Sequence, residues 1–336
     1  MVRTSMSRFT LVPHHLALLV AFFCAAVPLS HGWEVRSQDH HHRLANRDTQ
    51  EVLSIWDVQA TQLFPKGPRS SSWSTFPGTS GGDTKLPLEP ATLVPFKVLQ
   101  STTAKYTTLN GKKVIKAHYP KGSYTFGHNP QGGFSFYAKG PVNRLDLTTA
   151  KEVTFGYSVY FPRGFAFQKG GKMPGIYGGD NDDKATGCSG GRRDNGCFSS
   201  RIMWRAQGDG ELYTYLPPES PENKKVCNVP PFSECNGTYG ASVGRGSFKF
   251  ATGQWTVVAM RVKLNDVGQA NGELQLWANG ESKINVKGLV LRTSRNGRIR
   301  GMQWQTFFGG SSTSFATPKD QDVYFSDVSL AITQKL

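Results

Sequence analysis

From about residue 91 to the C-terminus, apolar and polar residues alternate in short runs separated by turn formers, and helical periodicity is almost absent. A chain patterned this way buries its apolar side only by packing sheet on sheet. Strands are predicted at 134–138, 153–161, 198–205, 211–216, 255–264, 301–308 and 322–332. Residues 273–286 read as a hairpin around Asn279-Gly280, a dipeptide that favours the type I′ turn. Glycine, at 37 residues, suits the many turns. The expected fold is all-β: a β-jelly-roll sandwich of two antiparallel sheets with a concave groove. No internal repeat is found.

The 336 residues carry 39 Lys+Arg against 24 Asp+Glu, a formal charge of +15. Such a surface calls for an anionic partner: nucleic acid, a membrane surface or an acidic glycan. The N-terminus narrows the choice. Arg3 and Arg8 precede an apolar run at 16–27 that Pro28 ends, and Ser30 and Gly32 suit cleavage before Trp33. These are the parts of a secretory signal, and the run is shorter than the roughly 20 residues a spanning helix needs. The expectation is a signal peptide at 1–32 and a secreted, extracellular protein without a membrane span in its mature form. Export removes nucleic acid as the expected partner, and a monomer is expected.

Residues 33–90 are rich in turn formers (Pro65-Lys66-Gly67-Pro68, Pro77-Gly78, Gly81-Gly82) and poor in periodicity, apart from a potential helix at 51–63. They read as a flexible leader or propeptide, with His40, His41 and His42 in a solvated tail. The main domain is expected at 91–336.

Beyond the signal, four cysteines remain: Cys188, Cys197, Cys227 and Cys235. They lack the close C-x₂₋₄-C pairs of a zinc site. Among three possible connectivities, Cys188–Cys197 with Cys227–Cys235 is the simplest, each closing a small loop. Asn236-Gly237-Thr238 is an acceptor for N-glycosylation. The acids Asp180, Asp182 and Asp183 read as a solvated turn, His118 as structural, and no cofactor or metal is expected.

Three segments concentrate unusual side chains. Residues 170–179 read as a glycine-rich loop holding Lys172, but the phosphate-loop pattern G-x-x-x-x-G-K-[ST] is missing. In the strand at 198–205, period two places Ser199, Arg201, Met203 and Arg205 on one face and Phe198, Ser200, Ile202 and Trp204 on the other. In the next strand, Glu211, Tyr213 and Tyr215 alternate against Leu212 and Leu216. The turn at 206–210 suggests that the two strands pair antiparallel, which would bring Arg201 and both tyrosines to one face. Glu211 is the one acid within these motifs, whereas glycoside hydrolysis uses two carboxylates.

The segments Gly171-Lys172-Met173-Pro174-Gly175-Ile176-Tyr177-Gly178-Gly179, Gly187-Cys188-Ser189-Gly190-Gly191, Cys197-Phe198-Ser199-Ser200-Arg201-Ile202-Met203-Trp204-Arg205 and Glu211-Leu212-Tyr213-Thr214-Tyr215 resemble the core of polysaccharide lyase family 14. Thr306-Phe307-Phe308-Gly309-Gly310 and Lys319-Asp320-Gln321 resemble its closing strands, so the resemblance spans 91–334. It implies a jelly roll that cleaves alginate or glucuronan by β-elimination. It also implies that Lys172, Arg201, Tyr213 and Tyr215 match the active-site set, with Ser199 beside them. Arg205, Arg192 and Arg193 join Ser199 as expected substrate-binding residues, the latter two from a loop at 180–195 individual to this chain.

β-Elimination at a uronate needs a carboxylate neutraliser, a base for H5 and an acid for O4. Arg201, helped by Lys172, suits the first role. Tyr213 or Tyr215 suits the others if the neighbouring cations lower a phenol pKa, and Lys172 stays open as base if its own pKa is lowered. Ser199 is expected to position substrate by hydrogen bonding. The competing expectation is a non-catalytic acidic-glycan-binding β-sandwich, which needs the cations but no tyrosine acid/base pair.

Overall fold

The computed structural model describes residues 58–69, 71–79 and 84–336. The predicted signal, the histidine cluster and residues 33–57 lie outside them.

Strands β1 (Ser72–Ser74), β2 (Thr84–Lys85), β3 (Pro95–Phe96), β4 (Lys105–Leu109), β5 (Lys112–Tyr119) and β6 (Phe134–Ala138) come first. Next are β7 (Ala150–Tyr160), β8 (Gly170–Gly179), β9 (Cys197–Arg205), β10 (Asp209–Tyr215) and β11 (Ala241–Lys249). The chain ends with β12 (Trp255–Lys263), β13 (Gly272–Ala278), β14 (Glu281–Leu289), β15 (Arg298–Phe308) and β16 (Gln321–Lys335). They form two sheets. One runs β14-β13-β12-β7-β16-β1-β2, with β5 also on β16 and β4 beyond it; the other runs β11-β10-β9-β8-β15-β6-β3. Every pairing is antiparallel except the short β1–β2 contact at an edge.

Period two explains the core. Phe155, Tyr157 and Val159 from β7 meet Phe198, Ile202 and Trp204 from β9, and Met302, Trp304 and Phe308 from β15. Trp204 lies edge-on to Tyr119, Phe161, Phe165 and Phe308 at centroid distances of 5.3–6.1 Å. Such pairs each add about 0.5–1.5 kcal/mol beyond their buried area.

Two expectations need correction. Part of the expected leader belongs to the sandwich: Ser72–Ser74 pairs with β16, Trp73 is fully buried, and Leu63 and Phe64 pack against Val257 and Ala331. Anchoring by single aromatics in very short elements leaves no period to read. Of the helix predicted at 51–63, the described part is one turn, Ala60–Leu63.

The second correction concerns 170–179, which is strand β8 between β9 and β15 rather than a loop. Glycine is ordinarily depleted in strands, and within one it marks a bulge or a close backbone approach. Both hold here. A Cβ on Gly175 would stand 2.0 Å from the Ser200 carbonyl oxygen, and the register with β9 shifts between Met173 and Gly175. Pro174 occupies the shift, and its carbonyl accepts the Tyr157 hydroxyl at 3.1 Å. Gly175→Ala is therefore expected to cost about 3 kcal/mol, the upper range for forced overpacking. Chemical denaturation measures it, and an unchanged midpoint would refute the close-approach account.

Candidate active site

The β9–β10 pairing sets Tyr213 opposite Arg201 and Tyr215 opposite Ser199. On the other side of β9, Lys172 stands opposite Met203. Lys172, Arg201 and Tyr213 therefore gather across three neighbouring strands. They line a cavity of about 840 Å³ on the outer face of this sheet. Five basic side chains (Lys169, Lys172, Arg201, Arg205, Arg245) and two acidic ones (Asp209, Glu234) line it, so its field favours an anionic occupant.

Arg201 is 2% exposed and has no carboxylate partner among the described residues. Its Nη1 donates to Gln305 Oε1 at 2.9 Å, and its Nε has no acceptor. Burial lowers its pKa, yet a guanidinium stays charged at neutrality. A buried cation without a counter-ion is costly, and a ligand carboxylate would relieve that cost.

Lys172 Nζ sits 3.8 Å over the Tyr213 ring and 3.0 Å from Met203 Sδ, a weak acceptor. Desolvation, then Arg201 and Arg205, hold its pKa well below the ordinary amine range, and Glu211 opposes this only weakly. Tyr213 moves the other way. Its burial, together with Tyr215, pushes the phenol above its usual value despite Arg201. The expectation of a cation-lowered phenol is thus corrected for Tyr213, because desolvation of a phenolate outweighs one guanidinium.

The tyrosines are held by backbone: Gly240 N–H donates to Tyr213 Oη at 3.1 Å and Gly191 N–H to Tyr215 Oη at 3.0 Å. The rings meet edge-on at 5.8 Å. Behind them packs the disulfide Cys188–Cys197, while Cys227–Cys235 closes a second short loop.

The expected substrate-binding residues divide. Arg205 lines the cavity but is tied to Glu211 at 2.7 Å. Ser199 is 1% exposed and donates to the Cys188 carbonyl at 2.7 Å, so it anchors the disulfide loop instead of facing the cavity. Arg192 donates to the Gly187 carbonyl at 3.2 Å, and Arg193 donates to the Asn236 carbonyl with its guanidinium 5.9 Å from the Tyr215 ring. Neither lines this cavity, because Arg192 turns back on its own loop and Arg193 is drawn to the β10–β11 connection. Asn236 is exposed at the rim, its Oδ1 accepting from Thr238 and Tyr239 N–H at 2.8 and 2.9 Å. Asp182 is held by Lys139 and Arg300, and His118 by Asp322 on the other sheet.

Sequence reading missed Gln305 and Arg245. Alternation in β15 could have found the first: Met302 and Trp304 face the core, so Gln303 and Gln305 face outward. Gln305 takes the Arg201 proton donor, receives Gln303 Nε2 at 2.8 Å and donates to Ser135 Oγ at 2.9 Å. Arg245 sits between Gly244 and Gly246 in β11 and leaves no comparable signal.

A two-sheet β-sandwich with a cationic, tyrosine-bearing cleft on one outer face defines a carbohydrate-active class of protein. Residues 107–328 match the polysaccharide lyase 14 family. A marine alginate lyase of that family from Aplysia kurodai is 32% identical, covering 71% of this chain and 90% of its own, with a TM-score of 0.63. An alginate lyase from a Chlorella virus is 28% identical, covering 73% and 93%, with a TM-score of 0.60. Exolysin of Paramecium bursaria Chlorella virus 1 is 25% identical over 167 residues, and the chain spans a quarter of that relative's length. The chain belongs to polysaccharide lyase family 14; it is a polysaccharide lyase.

Proposed function

We propose that this lyase cleaves a polyuronate of the alginate or glucuronan kind by β-elimination. The observation that carries this is Arg201: a buried guanidinium with no carboxylate partner among the described residues, beside a low-pKa amine and a high-pKa phenol. A uronate carboxylate on Arg201 gives the buried charge its missing partner and acidifies H5. Neutral Lys172 removes H5, and the C5–H electron pair becomes the C4=C5 double bond. The C4–O4 bond breaks, and O4 takes a proton from Tyr213. Lys172 then carries the former H5 proton and Tyr213 is left a phenolate, and net transfer of that proton from Lys172 to Tyr213 through solvent closes the cycle. Tyr213 suits the acid role because burial keeps it protonated.

Export is part of the same reading. It is supported by the N-terminal signal pattern and by two disulfides, which persist in oxidising compartments. The exposed Asn236 sequon is proposed to carry a glycan there. Among the described residues, no helix is long and apolar enough to cross a membrane.

The test is absorbance of the unsaturated uronate product with polyguluronate, polymannuronate and glucuronan. At least one should give a rising signal. Binding without product from all three would turn the reading to a glycan-binding module. Tyr213→Phe is expected to lower kcat by about 10²–10⁴-fold, the range for losing a general acid, with KM little changed. Full activity in that variant would remove Tyr213 from the chemistry.

A further inference from the structure

A second cationic centre lies in the same cavity, and the elimination step assigns it no contact with the substrate. Glu211 on β10 is fully buried, with a fractional exposure of 0%. Arg205 approaches its Oε1 with Nε at 2.8 Å and Nη2 at 2.7 Å. Arg245 on β11 donates from Nε to Oε2 at 2.9 Å. Ser242 joins the group, donating its hydroxyl to Glu211 Oε1 at 2.9 Å and accepting from Nη2 of both arginines.

One carboxylate satisfies one guanidinium, and here it is bracketed by two. The group therefore keeps one positive charge. Glu234 lies 3.7 Å from Arg245 but is more than half exposed, where an ion pair counts for little. Among the described residues, Nη1 of neither arginine has a protein acceptor, and both arginines line the cavity. Glu211 and Ser242 hold the two planar forks in place, which lowers the entropy lost when a further carboxylate binds.

The position separates this centre from Arg201. Arg205 is four residues further along β9, roughly 13 Å at about 3.3 Å per residue. Two carboxylates held at these places belong to different sugars of one chain. We propose that Arg205 and Arg245, braced by Glu211, form a second carboxylate subsite, so that the cleft selects segments carrying at least two uronates. This rests on the polyuronate reading and deepens it.

The experiment is calorimetric binding of two oligosaccharides of equal length, one built wholly of uronates and one with a single uronate among neutral sugars. Binding needs no turnover, so a protein that binds but yields no product would sink the lyase chemistry and leave the subsite standing. Arg245→Gln is expected to weaken the all-uronate ligand about tenfold or more, as for loss of a charged hydrogen bond, and the single-uronate ligand less than about twofold. Lys105→Gln, an equal charge loss on an exposed strand of the other sheet, should change neither. Arg245→Lys, which keeps the charge but not the fork, is the second variant should the first fail to fold, and it should weaken the all-uronate ligand alone. Equal weakening of both ligands, or of neither, would overturn the subsite. So would the absence of any binding to the all-uronate ligand by the unmodified protein.

Discussion

Lys172→Met is expected to abolish product formation and, at the same time, to raise the melting temperature. The amine faces the cavity near Arg201 and Arg205, and no carboxylate of the described residues touches it. Its charged form is therefore disfavoured, which suits it to the proposed role of base. Loss of a general base costs about 10²–10⁴-fold. Lys172→Arg should be as inactive as Lys172→Met, because an arginine keeps its proton.

The stability effect follows from linkage. A lysine whose pKa is depressed in the fold binds fewer protons folded than unfolded, between its folded and ordinary values. Stability then rises with pH across that interval, and the penalty is largest on the acid side. Methionine removes the penalty. The variant's gain in Tm, about 2–4 °C per kcal/mol for a chain somewhat shorter than this one, should be greatest at acidic pH and fade towards the alkaline range. Thermal unfolding at several pH values measures this. A variant less stable than the parent at every pH would show that the amine is held charged. The same logic shapes activity. kcat/KM should rise as pH climbs through the depressed Lys172 pKa, and fall only where Tyr213 ionises, above the ordinary phenol range.

Arg201→Met should lower kcat/KM by about 10³-fold or more, as when a charge-stabilising donor is taken from a dry site. Arg201→Lys should not restore it, since an ammonium lacks the planar fork for a carboxylate. Stability should hold in Arg201→Met, because no protein carboxylate is stranded and Gln305 keeps its bonds to Gln303 and Ser135. Glu211→Gln is the contrast: it leaves two arginines around a neutral amide and should cost about 3–5 kcal/mol. Steady-state kinetics with denaturant melts on both variants separates the cases. A destabilised Arg201→Met with intact kcat/KM would mean that the guanidinium is a structural group.

Much of this was legible in the chain because sheets write themselves with period two. Phe198, Ile202 and Trp204 had to face away from Arg201 and Arg205 once 198–205 was a strand, and Tyr213 and Tyr215 had to share a side. The turn at 206–210 made those strands neighbours, and the register then set Tyr213 on Arg201. Short cysteine spacing likewise foretold both disulfides.

Other features were not written locally. Glycines 171 and 175 disguised β8 as a loop, since what requires them is distant in sequence: the Trp204 indole at Gly171 and the β9 backbone at Gly175. Trp73 carries no pattern of its own, yet β16 claims it. Ser199 alternates correctly, but a loop closed by a disulfide covers it. Arg245 meets Glu211 across 34 residues.

The sequence by itself determined the cationic, tyrosine-bearing face, because alternation and turn chemistry are properties of adjacent residues. Only the tertiary structure decided the protonation of that face. Burial, which no local pattern records, raises the Tyr213 phenol and lowers the Lys172 amine, the protonation states that the proposed donor and base require.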